Sequence, residues 1–468
     1  MWRQWCFLSL LFFLLAGCGQ PLPFPTPAQH NLIAVISPET LIYQTDDTGQ
    51  AVGLEYDLID AFAQELGVAV EYRVVPPEDL KDAIAGGKAH LAAGWLPANE
   101  AMQTTPPIYL TSNTLIQRDA SLPIEEIANL QGKTVYALPG TRQWQFLQAL
   151  HERSPEIRIA ETGSRNTFEV LQQLDAGQID YLLLDSRLSD IAIQHFPALQ
   201  PSLNLGDETP IVWWLGPSPN QELKNRLSQF VERIQRDGTL ARIEDRYFGH
   251  VRRLTRADII KFLGQIQSDL GRYRRHFQQA QEASGIDWRL LAAVAYHESN
   301  WDPMATSRTG VRGMMMLTEE TADRLGVKNR LDPAESIEAG ARYISMLKSF
   351  LPDSVSEPDR TWLALAAYNL GPGHFNAGRA LARQLKADPN SWYEMKRILP
   401  LLSQPKYYNN LKTGRARGGE AVILVENIRS YYDILLRNKP IHRPKTDKNK
   451  KATAPVKTGG QGLKPPKQ

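Results

Sequence analysis

A glutamate at the end of an apolar helical stripe has the surroundings that acid catalysis requires. Asp287 is a good helix N-cap, and the sequence after it, WRLLAAVAYHE, has helical periodicity up to Glu298. Glu298 lies four residues after Val294 and seven after Leu291, so it continues the face that this helix should bury. Burial raises the pKa of a carboxyl and keeps it protonated near neutral pH, as a general acid requires. The alternative is a solvent-facing or salt-bridged glutamate.

Three residues nearer the N-terminus have the types that bind a small zwitterion. Thr141 lies between a predicted strand and a predicted helix, where free backbone N–H groups can hold an anion. Arg142 can clamp a carboxylate, and Asp185, at the end of an apolar strand, can accept an ammonium. A helix cap for Thr141, a surface charge for Arg142 and a turn residue for Asp185 are equally open interpretations.

Strands and helices alternate through the first half of the chain. The predicted strands are 32–36, 68–74, 90–94, 133–138 and 179–185, and the predicted helices are 58–66, 78–85, 143–151 and 168–175. Gly67 closes the first of these helices. This alternation indicates an α/β architecture with helices packed on the faces of the sheet.

The second half of the chain has helical spacing almost throughout. Residues 251–283 are polar with apolar residues at helical intervals and predict a helical connector, and an all-α domain follows over 284–438. Pro303 stops the helix that carries Glu298 soon after Trp301. Glu298 is therefore expected near a helix end, where a cleft can open.

Composition excludes several classes of function. A chain of 468 residues, 42% hydrophobic and 22% charged, fits two globular domains. Its two cysteines, Cys6 and Cys18, cannot form a cysteine-based zinc cluster, and we predict no metal and no cofactor. The segment 439–468 carries a net charge of +8 in a chain whose total is +2, which leaves −6 for residues 1–438. A mildly acidic body argues against nucleic-acid binding, and the Lys/Pro-rich tail is predicted to be disordered.

The N-terminus has the pattern of a processed leader. Residues 1–18 contain Arg3 and then an apolar run too short to span a bilayer. The run ends in LAGC at 15–18, which resembles the bacterial lipobox and implies cleavage before Cys18 and acylation of that residue. The resemblance, with Gly19 rather than Asp next, implies a lipid anchor in the outer membrane facing the periplasm. Residues 19–30 predict a Pro-rich spacer, and an uncleaved membrane anchor is the alternative.

Four fragments between residues 53 and 249 resemble the family 3 periplasmic solute-binding domain. They are GLEYDL at 53–58, GKTV at 132–135 with GT at 140–141, GQID at 177–180, and DGTL at 237–240 with YFG at 247–249. The resemblance implies that residues 31–250 form two lobes around a ligand cleft, with the chain crossing between lobes twice. Because 97–103 lacks the arginine usual in amino-acid binders of this family, an amino acid, a peptide, a muropeptide or no ligand all stay open.

The segment around Glu298 resembles the soluble-lytic-transglycosylase family of peptidoglycan enzymes. The matching patterns are ESxWxPxAxSxxGxxG at 298–313, TEETA at 318–322 and AYNxGxG at 367–373. The resemblance implies a lysozyme-like domain that cleaves the MurNAc-β-1,4-GlcNAc bond of glycan strands and leaves 1,6-anhydromuramyl ends. Ordinary glycosidases need two carboxylates, whereas here Glu298 would act first as acid and then as base.

The same resemblance assigns substrate contacts. They are Ser299, Ser307, Met314, Met315, Met316, Tyr368 and Asn369. Core filling is an open alternative for the methionines and for Tyr368, and turn formation for Asn369. Leu424 stands where the family commonly has a tyrosine near the catalytic glutamate, and neither Tyr431 nor Tyr432 can be assumed to replace it.

Two other functions compete with this interpretation. A lysozyme-like hydrolase would need a second carboxylate, for which the nearest candidates are Asp302, Glu319, Glu320 and Asp323. A binding lipoprotein with an inactive helical domain would need neither. In the transglycosylase interpretation, the first domain regulates or targets the second.

Overall fold

The computed structural model describes residues 22–409 and 411–443. The predicted leader 1–18 with its lipidation site Cys18, the start of the spacer and residues 444–468 of the basic tail lie outside the described residues. Within those described ranges, no helix combines the length and the apolar character needed to cross a bilayer.

The first domain is an α/β structure, as predicted. Its strands are β1 (Leu32–Ile36), β2 (Gln44–Thr45), β3 (Ala51–Val52), β4 (Val70–Val74), β5 (Leu91–Pro97), β6 (Tyr109–Arg118), β7 (Thr134–Ala137), β8 (Arg158–Glu161), β9 (Tyr181–Asp185) and β10 (Leu199–Leu215). Its helices are α1 (Leu54–Leu66), α2 (Leu80–Ala85), α3 (Arg142–Arg153), α4 (Thr167–Asp175), α5 (Ser186–His195), α6 (Gln221–Arg236) and α7 (Thr239–Phe248), with 3-10 turns at Pro77–Asp79 and Ile127–Leu130. Helix α1 ends where the sequence predicts, because Gly67 adopts the left-handed conformation with φ 69°.

Eight of these strands form one mixed sheet in the order β4-β1-β5-β10-β6-β9-β7-β8. Strand β1 is parallel to β4 and β5 in one lobe, and β7 is parallel to β8 and β9 in the other. The long antiparallel strand β10 pairs with β6 through most of its length and with β5 near its end. Strands β6 and β10 therefore carry the two chain crossings between lobes, and the carboxyl ends of β1 and β9 face the region between lobes where ligands bind in open α/β sheets.

The second domain is all-α, which confirms the predicted fold class. Its helices are α8 (Arg256–Ser268), α9 (Leu270–Ser284), α10 (Trp288–Ser299), α11 (Glu319–Arg324), α12 (Pro333–Ser349), α13 (Asp359–Leu370), α14 (Pro372–Gln384), α15 (Trp392–Ile398), α16 (Pro405–Tyr408) and α17 (Gly418–Asn438), with a 3-10 turn at Leu399–Ser403. Helix α10 packs against α9 and α17, and α13 also packs on α17. These contacts enclose α10 within the domain.

The segment predicted as a helical connector forms α8 and α9, and both belong to the core of the helical domain. Phe262, Ile266 and Phe277 are buried in the same apolar cluster as the residues of α10. The Phe262 ring lies 4.3 Å from that of Tyr296, centroid to centroid. The apolar residues at helical spacing therefore pack against α10 instead of joining two separate bodies.

The two domains meet along α17. Asp245, in the last helix of the first domain, forms ion pairs with Lys396 and Arg429 of the helical domain. The Arg429 guanidinium also donates a 2.7 Å hydrogen bond to the Asp245 carbonyl oxygen. His250 contacts Asp433 one helical turn further along α17. The interface is thus charged and hydrogen-bonded and includes the helix that packs on α10.

Candidate active site

Helix α10 positions Glu298 because its own sequence buries all of its earlier turns. The Asp287 side chain caps the helix by accepting a backbone N–H at 2.7 Å, and every residue over 288–296 is buried. The helix ends at Asn300, which adopts φ 51°. Trp301 then donates its indole N–H to the Ala292 carbonyl at 2.8 Å and so folds the chain back along the helix. Glu298 is left in the final turn, where the buried stripe meets the surface.

The Glu298 carboxyl is partly buried and isolated. Among the described residues none forms a hydrogen bond or an ion pair with it, and burial alone raises its pKa to about 8. A carboxylate without donors or a cationic neighbour gains nothing that offsets its desolvation. Glu298 is therefore mostly protonated at neutral pH and can donate a proton.

No second carboxyl approaches Glu298 in the part of the chain that the structure describes. Asp302, Glu319, Glu320 and Asp323 are all exposed. None of them contributes to the shift in the pKa of Glu298, whose cause is burial alone. The described residues thus offer this site one carboxyl group and not the pair that ordinary glycosidases use.

Ser299 supports the loop beside the site and does not reach outward. Its hydroxyl is buried and lies 3.0 Å from the carbonyl oxygen of Ala295 and 2.9 Å from that of Met314. These contacts attach the loop to the last turn of α10. The Ser299 hydroxyl is therefore not free to make the predicted contact with the substrate in this structure.

The three methionines after Gly313 differ in their burial. Met314 and Met315 are fully buried in the helical core, where the Met315 side chain packs on Gly340. Met316 is partly exposed and adopts φ 46°, a strained conformation for a side chain larger than glycine. Of the three, Met316 is therefore the one that a substrate could reach, and Met314 and Met315 lie in the core.

Tyr368 lies close to Glu298, although 70 residues separate them in sequence. The Tyr368 hydroxyl donates to the Met315 carbonyl at 2.5 Å, and its ring packs on Tyr343 at 5.5 Å. Burial, and next the charge of Glu298, raise the pKa of Tyr368 well above its ordinary value. The neighbouring Asn369 is exposed, and its amide has no hydrogen bond within the described ranges.

Ser307 lies in an exposed turn of the same loop. Its hydroxyl accepts the backbone N–H groups of Thr309 at 3.2 Å and of Val311 at 3.3 Å. This is a local turn contact of the kind that serine commonly makes. No contact joins Ser307 to Glu298 within residues 22–409 and 411–443.

The structure also places Leu424 and the two tyrosines that follow it on α17. Leu424 is buried in the core on α17. Tyr431 packs against Tyr296 at 4.8 Å, and Tyr432 lies beside Asp287 at the opposite end of α10 from Glu298. Neither tyrosine forms a hydrogen bond with Glu298 among the described residues.

The sequence analysis missed one polar pair next to Glu298. The Asn427 amide of α17 lies 3.5 Å from Nε2 of His297. Burial lowers the pKa of His297 to about 4, so the imidazole is neutral near pH 7. The sequence Tyr-His-Glu at 296–298 contained this histidine, but its spacing did not show which helix it faces.

In the first domain, the predicted ligand residues bind one another. Asp185 is buried and accepts a 2.9 Å hydrogen bond from Arg142 and bonds of 2.7 and 2.8 Å from Thr111. It also caps α5, and Thr141 caps α3 through a 3.3 Å contact from a backbone N–H. Thr141 and Asp185 are thus helix caps, and Asp185 and Arg142 also form a buried ion pair.

Two further carboxyl groups from the other lobe meet this pair. Glu78 contacts Arg165 across the cleft, and a Cβ added to Gly140 would lie 2.7 Å from the Glu78 backbone nitrogen, so the two lobes touch. Burial, and then the charges of Asp185 and Glu78, raise the pKa of Glu39 to about 8. Sequence spacing did not reveal Glu39, because only folding brings the segment after β1 close to Asp185 at the end of β9. In the described ranges no group of three or more His, Cys, Asp or Glu side chains could hold a metal ion.

Comparison with known proteins matches both halves of the chain. Residues 33–250 match the family of bacterial extracellular solute-binding proteins, family 3, and residues 275–390 match the transglycosylase SLT domain. A membrane-bound lytic murein transglycosylase F from Thiobacillus denitrificans is 40% identical over 466 residues, covering 98% of this chain and 97% of the relative. Another from Nitrosospira multiformis is 41% identical and covers 92% and 93%. Among solved structures, an ancestral arginine-binding protein bound to arginine is 19% identical with TM-score 0.42, covering 47% of this chain and 97% of that one.

Proposed function

This chain belongs to the family of membrane-bound lytic murein transglycosylase F, and from that premise we propose that Glu298 performs both proton transfers of the reaction. The enzyme cleaves the β-1,4 bond between N-acetylmuramic acid and N-acetylglucosamine in peptidoglycan. Its products end in 1,6-anhydromuramic acid. No water is consumed, so no group has to activate one.

In the proposed mechanism, protonated Glu298 donates its proton to the glycosidic oxygen as the bond to C1 of muramic acid breaks. The acetamido group of the substrate stabilises the positive charge that develops at C1. Glu298 is then a carboxylate, and it accepts the proton of the C6 hydroxyl as that oxygen attacks C1 and closes the ring. A single group acts as acid and as base in turn, and it ends in its starting protonation state.

The isolation of the Glu298 carboxyl is the observation that carries this proposal. A carboxyl with a pKa of about 8 near neutral pH can both give and take a proton. A hydrolase would place a second carboxylate within roughly 5–10 Å, to act as nucleophile or to activate water. The pKa of Glu298 shows no influence of such a group among the described residues.

Mass spectrometry of products from purified murein tests the reaction. We expect anhydromuramyl ends from the wild-type chain and the same ends from Glu320→Gln, because Glu320 is exposed and has no contact with Glu298. Reducing muramic acid ends would instead assign a hydrolase. Loss of product in Glu320→Gln would show that a second carboxyl takes part.

We further propose that Tyr368, Asn369, Met316 and Ser307 contact the glycan. Asn369 and Met316 are supported by their exposure next to residues that pack near Glu298, and Tyr368 by its proximity to that carboxyl. Ser307 is supported only by its place in the same loop. Ala substitution of Asn369 should raise KM for murein more than it lowers stability, since its side chain has no described partner.

We also propose that acylated Cys18 anchors the enzyme in the outer membrane, facing the periplasm. The relatives are named membrane-bound, and no described helix of this chain can cross a bilayer. Two or more acyl chains give stable anchoring. Cys18→Ala should move the protein from the outer-membrane fraction to the soluble periplasmic fraction, and an unchanged distribution would contradict the anchor.

For the first domain we propose a ligand that carries an amine and a carboxylate: an amino acid, a peptide or a muropeptide. Asp185, Glu39 and Glu78 supply acceptors for the amine, and Arg142 supplies a clamp for the carboxylate. Ligand entry would then separate the Arg142–Asp185 pair. Through the contacts along α17, this domain regulates or targets the lyase, and equal turnover with and without a bound cleft ligand would contradict regulation.

A further inference from the structure

A cavity that is partly open to solvent lies at the junction of the two domains, away from both sites described above. Helix α7 of the first domain forms one wall, and the starts of α13 and α15 together with α17 form the others. Its principal lining residues are Arg242, Asp245, Asp359, Trp362, Tyr393 and Arg429. The cavity therefore exists only when the two domains are in contact.

Most charged groups around the cavity have partners. Arg246 forms a 2.7 Å ion pair with Asp57. Arg429 forms one of 2.8 Å with Glu426, and Asp245 contacts Lys396. These groups build the interface and have little capacity left for a ligand.

Arg242 differs from its neighbours. Its guanidinium forms no hydrogen bond and no ion pair with any residue in 22–409 or 411–443, and its Nε atom is buried without a partner. A buried N–H that lacks a hydrogen bond is unfavourable. Native proteins rarely leave such a group unsatisfied, and a bound anion would supply the acceptor that this guanidinium lacks.

The other lining groups select among anions. Asp245 and Asp359 line the same cavity and would repel a dianion such as phosphate more than a monoanion. Trp362 and Tyr393 are partly buried and offer apolar surface to a carbon skeleton. Guanidinium and carboxylate have matching planar geometry and can form two parallel hydrogen bonds.

We propose that this junction cavity binds the carboxylate of a small organic acid, with Arg242 as its principal ligand. The carboxylate belongs either to a muramic acid lactyl group or to a free small acid. Bound there, it contacts α7 of one domain and the starts of α13 and α15 of the other. The site is separate from the Glu298 groove and from the cleft between the lobes.

Calorimetric titration of the full chain with N-acetylmuramic acid, acetate and N-acetylglucosamine tests the proposal. The first two probes carry a carboxylate and the third does not. We expect Arg242→Gln to weaken binding of N-acetylmuramic acid by about tenfold or more, through loss of charge-assisted hydrogen bonds. Arg226→Gln, which changes an exposed arginine of the same domain, should have no effect.

A second variant gives a change of opposite sign. Asp359→Asn removes a negative charge from the cavity wall and keeps an oxygen that can accept the 2.7 Å bond from the Trp392 backbone, so it should tighten binding. A merely disrupted interface would not bind more tightly. Binding of acetate as well assigns a general carboxylate site, and binding of N-acetylmuramic acid alone assigns the lactyl group. Equal affinities for wild type and Arg242→Gln, or equal binding of N-acetylglucosamine, would overturn the proposal.

Discussion

Two carboxyl groups in this protein have a pKa raised to about 8, but their surroundings differ. The pKa of Glu298, at the end of a helix in the lyase domain, is raised by burial alone, and its carboxyl forms no hydrogen bond or ion pair with a described residue. Glu39, where the lobes of the first domain meet, is raised by burial and by the nearby charges of Asp185 and Glu78. Near Glu39 lies the buried ion pair between the Arg142 guanidinium and the Asp185 carboxylate.

The contrast shows how the surroundings of the carboxyl proposed for catalysis differ from those of the carboxyl in the proposed binding cleft. An isolated acid exchanges its proton with the bound substrate and not with neighbouring side chains. It therefore suits a reaction in which the substrate accepts and later returns a proton. In a cluster of acids, the protonation of each carboxyl depends on the charge of its neighbours. A cation that enters the cluster therefore affects the whole cluster.

Glu298→Gln should lower the rate of murein lysis by about 10²–10⁴-fold, the usual contribution of general acid–base catalysis. Glutamine keeps the size of the side chain but cannot transfer the proton. The rate of release of anhydromuropeptides measures the effect. Far-UV circular dichroism and the melting temperature check that the variant is folded, and full activity in a folded variant would refute the catalytic assignment.

Arg142→Ala should lower the free energy of unfolding of the first domain by about 3–5 kcal/mol, because it leaves Asp185 charged, buried and without its cationic partner. Denaturant unfolding followed by a probe in that domain measures the loss. Arg153→Ala on the exposed end of the same helix is the control and should change stability little. A small loss in Arg142→Ala would mean that the pair contributes little to the stability of the first domain.

The rate of lysis should fall as the pH rises above about 8, by about tenfold per pH unit, because Glu298 then loses the proton it must donate. Stability should change in the same direction. The folded-state pKa of Glu298 exceeds its ordinary value of 4.5, so the stabilisation from its proton is complete below 4.5 and is lost as the pH rises through 8. As the pH rises from 4.5 to about 8, the melting temperature of Glu298→Gln should therefore increase relative to that of the wild type.

The smallest effects should come from two hydroxyls, one in each domain, that form hydrogen bonds with backbone groups. Ser299→Ala removes the contact to the Met314 carbonyl and should cost about 1–3 kcal/mol. Thr141→Ala removes a helix cap and should cost about 0.5–2 kcal/mol. Neither should change KM for murein or the affinity for a cleft ligand by more than the loss of folded protein explains. A selective rise in either constant would restore the ligand-contact interpretation of that residue.

Some parts of the site followed directly from the sequence. The end of α1 at Gly67, the cap at Asp287 and the placement of Glu298 on a buried stripe depend on residues within a few turns of one another. Ser299, Met314 and Met315 were predicted to contact the substrate and are buried in the structure. Short motifs show which residues lie near one another but not which side of the loop faces the core. The sequence did not indicate a role for Glu39, Asn427 or Arg242, because the residues that surround them in the structure come from distant segments of the chain.

The sequence alone determined approximately where many of the helices and strands lie, that the chain divides into an α/β part and a helical part, and which glutamate ends a buried face. These features depend on periodicity and capping, which act over a few residues. Only the tertiary structure decided that Glu298 has no partner among the described residues, that Arg142 and Asp185 neutralise each other, and that Arg242 is left unpaired there at the domain junction. Desolvation and charge pairing depend on every group within several ångströms, and residues far apart in sequence supply those groups.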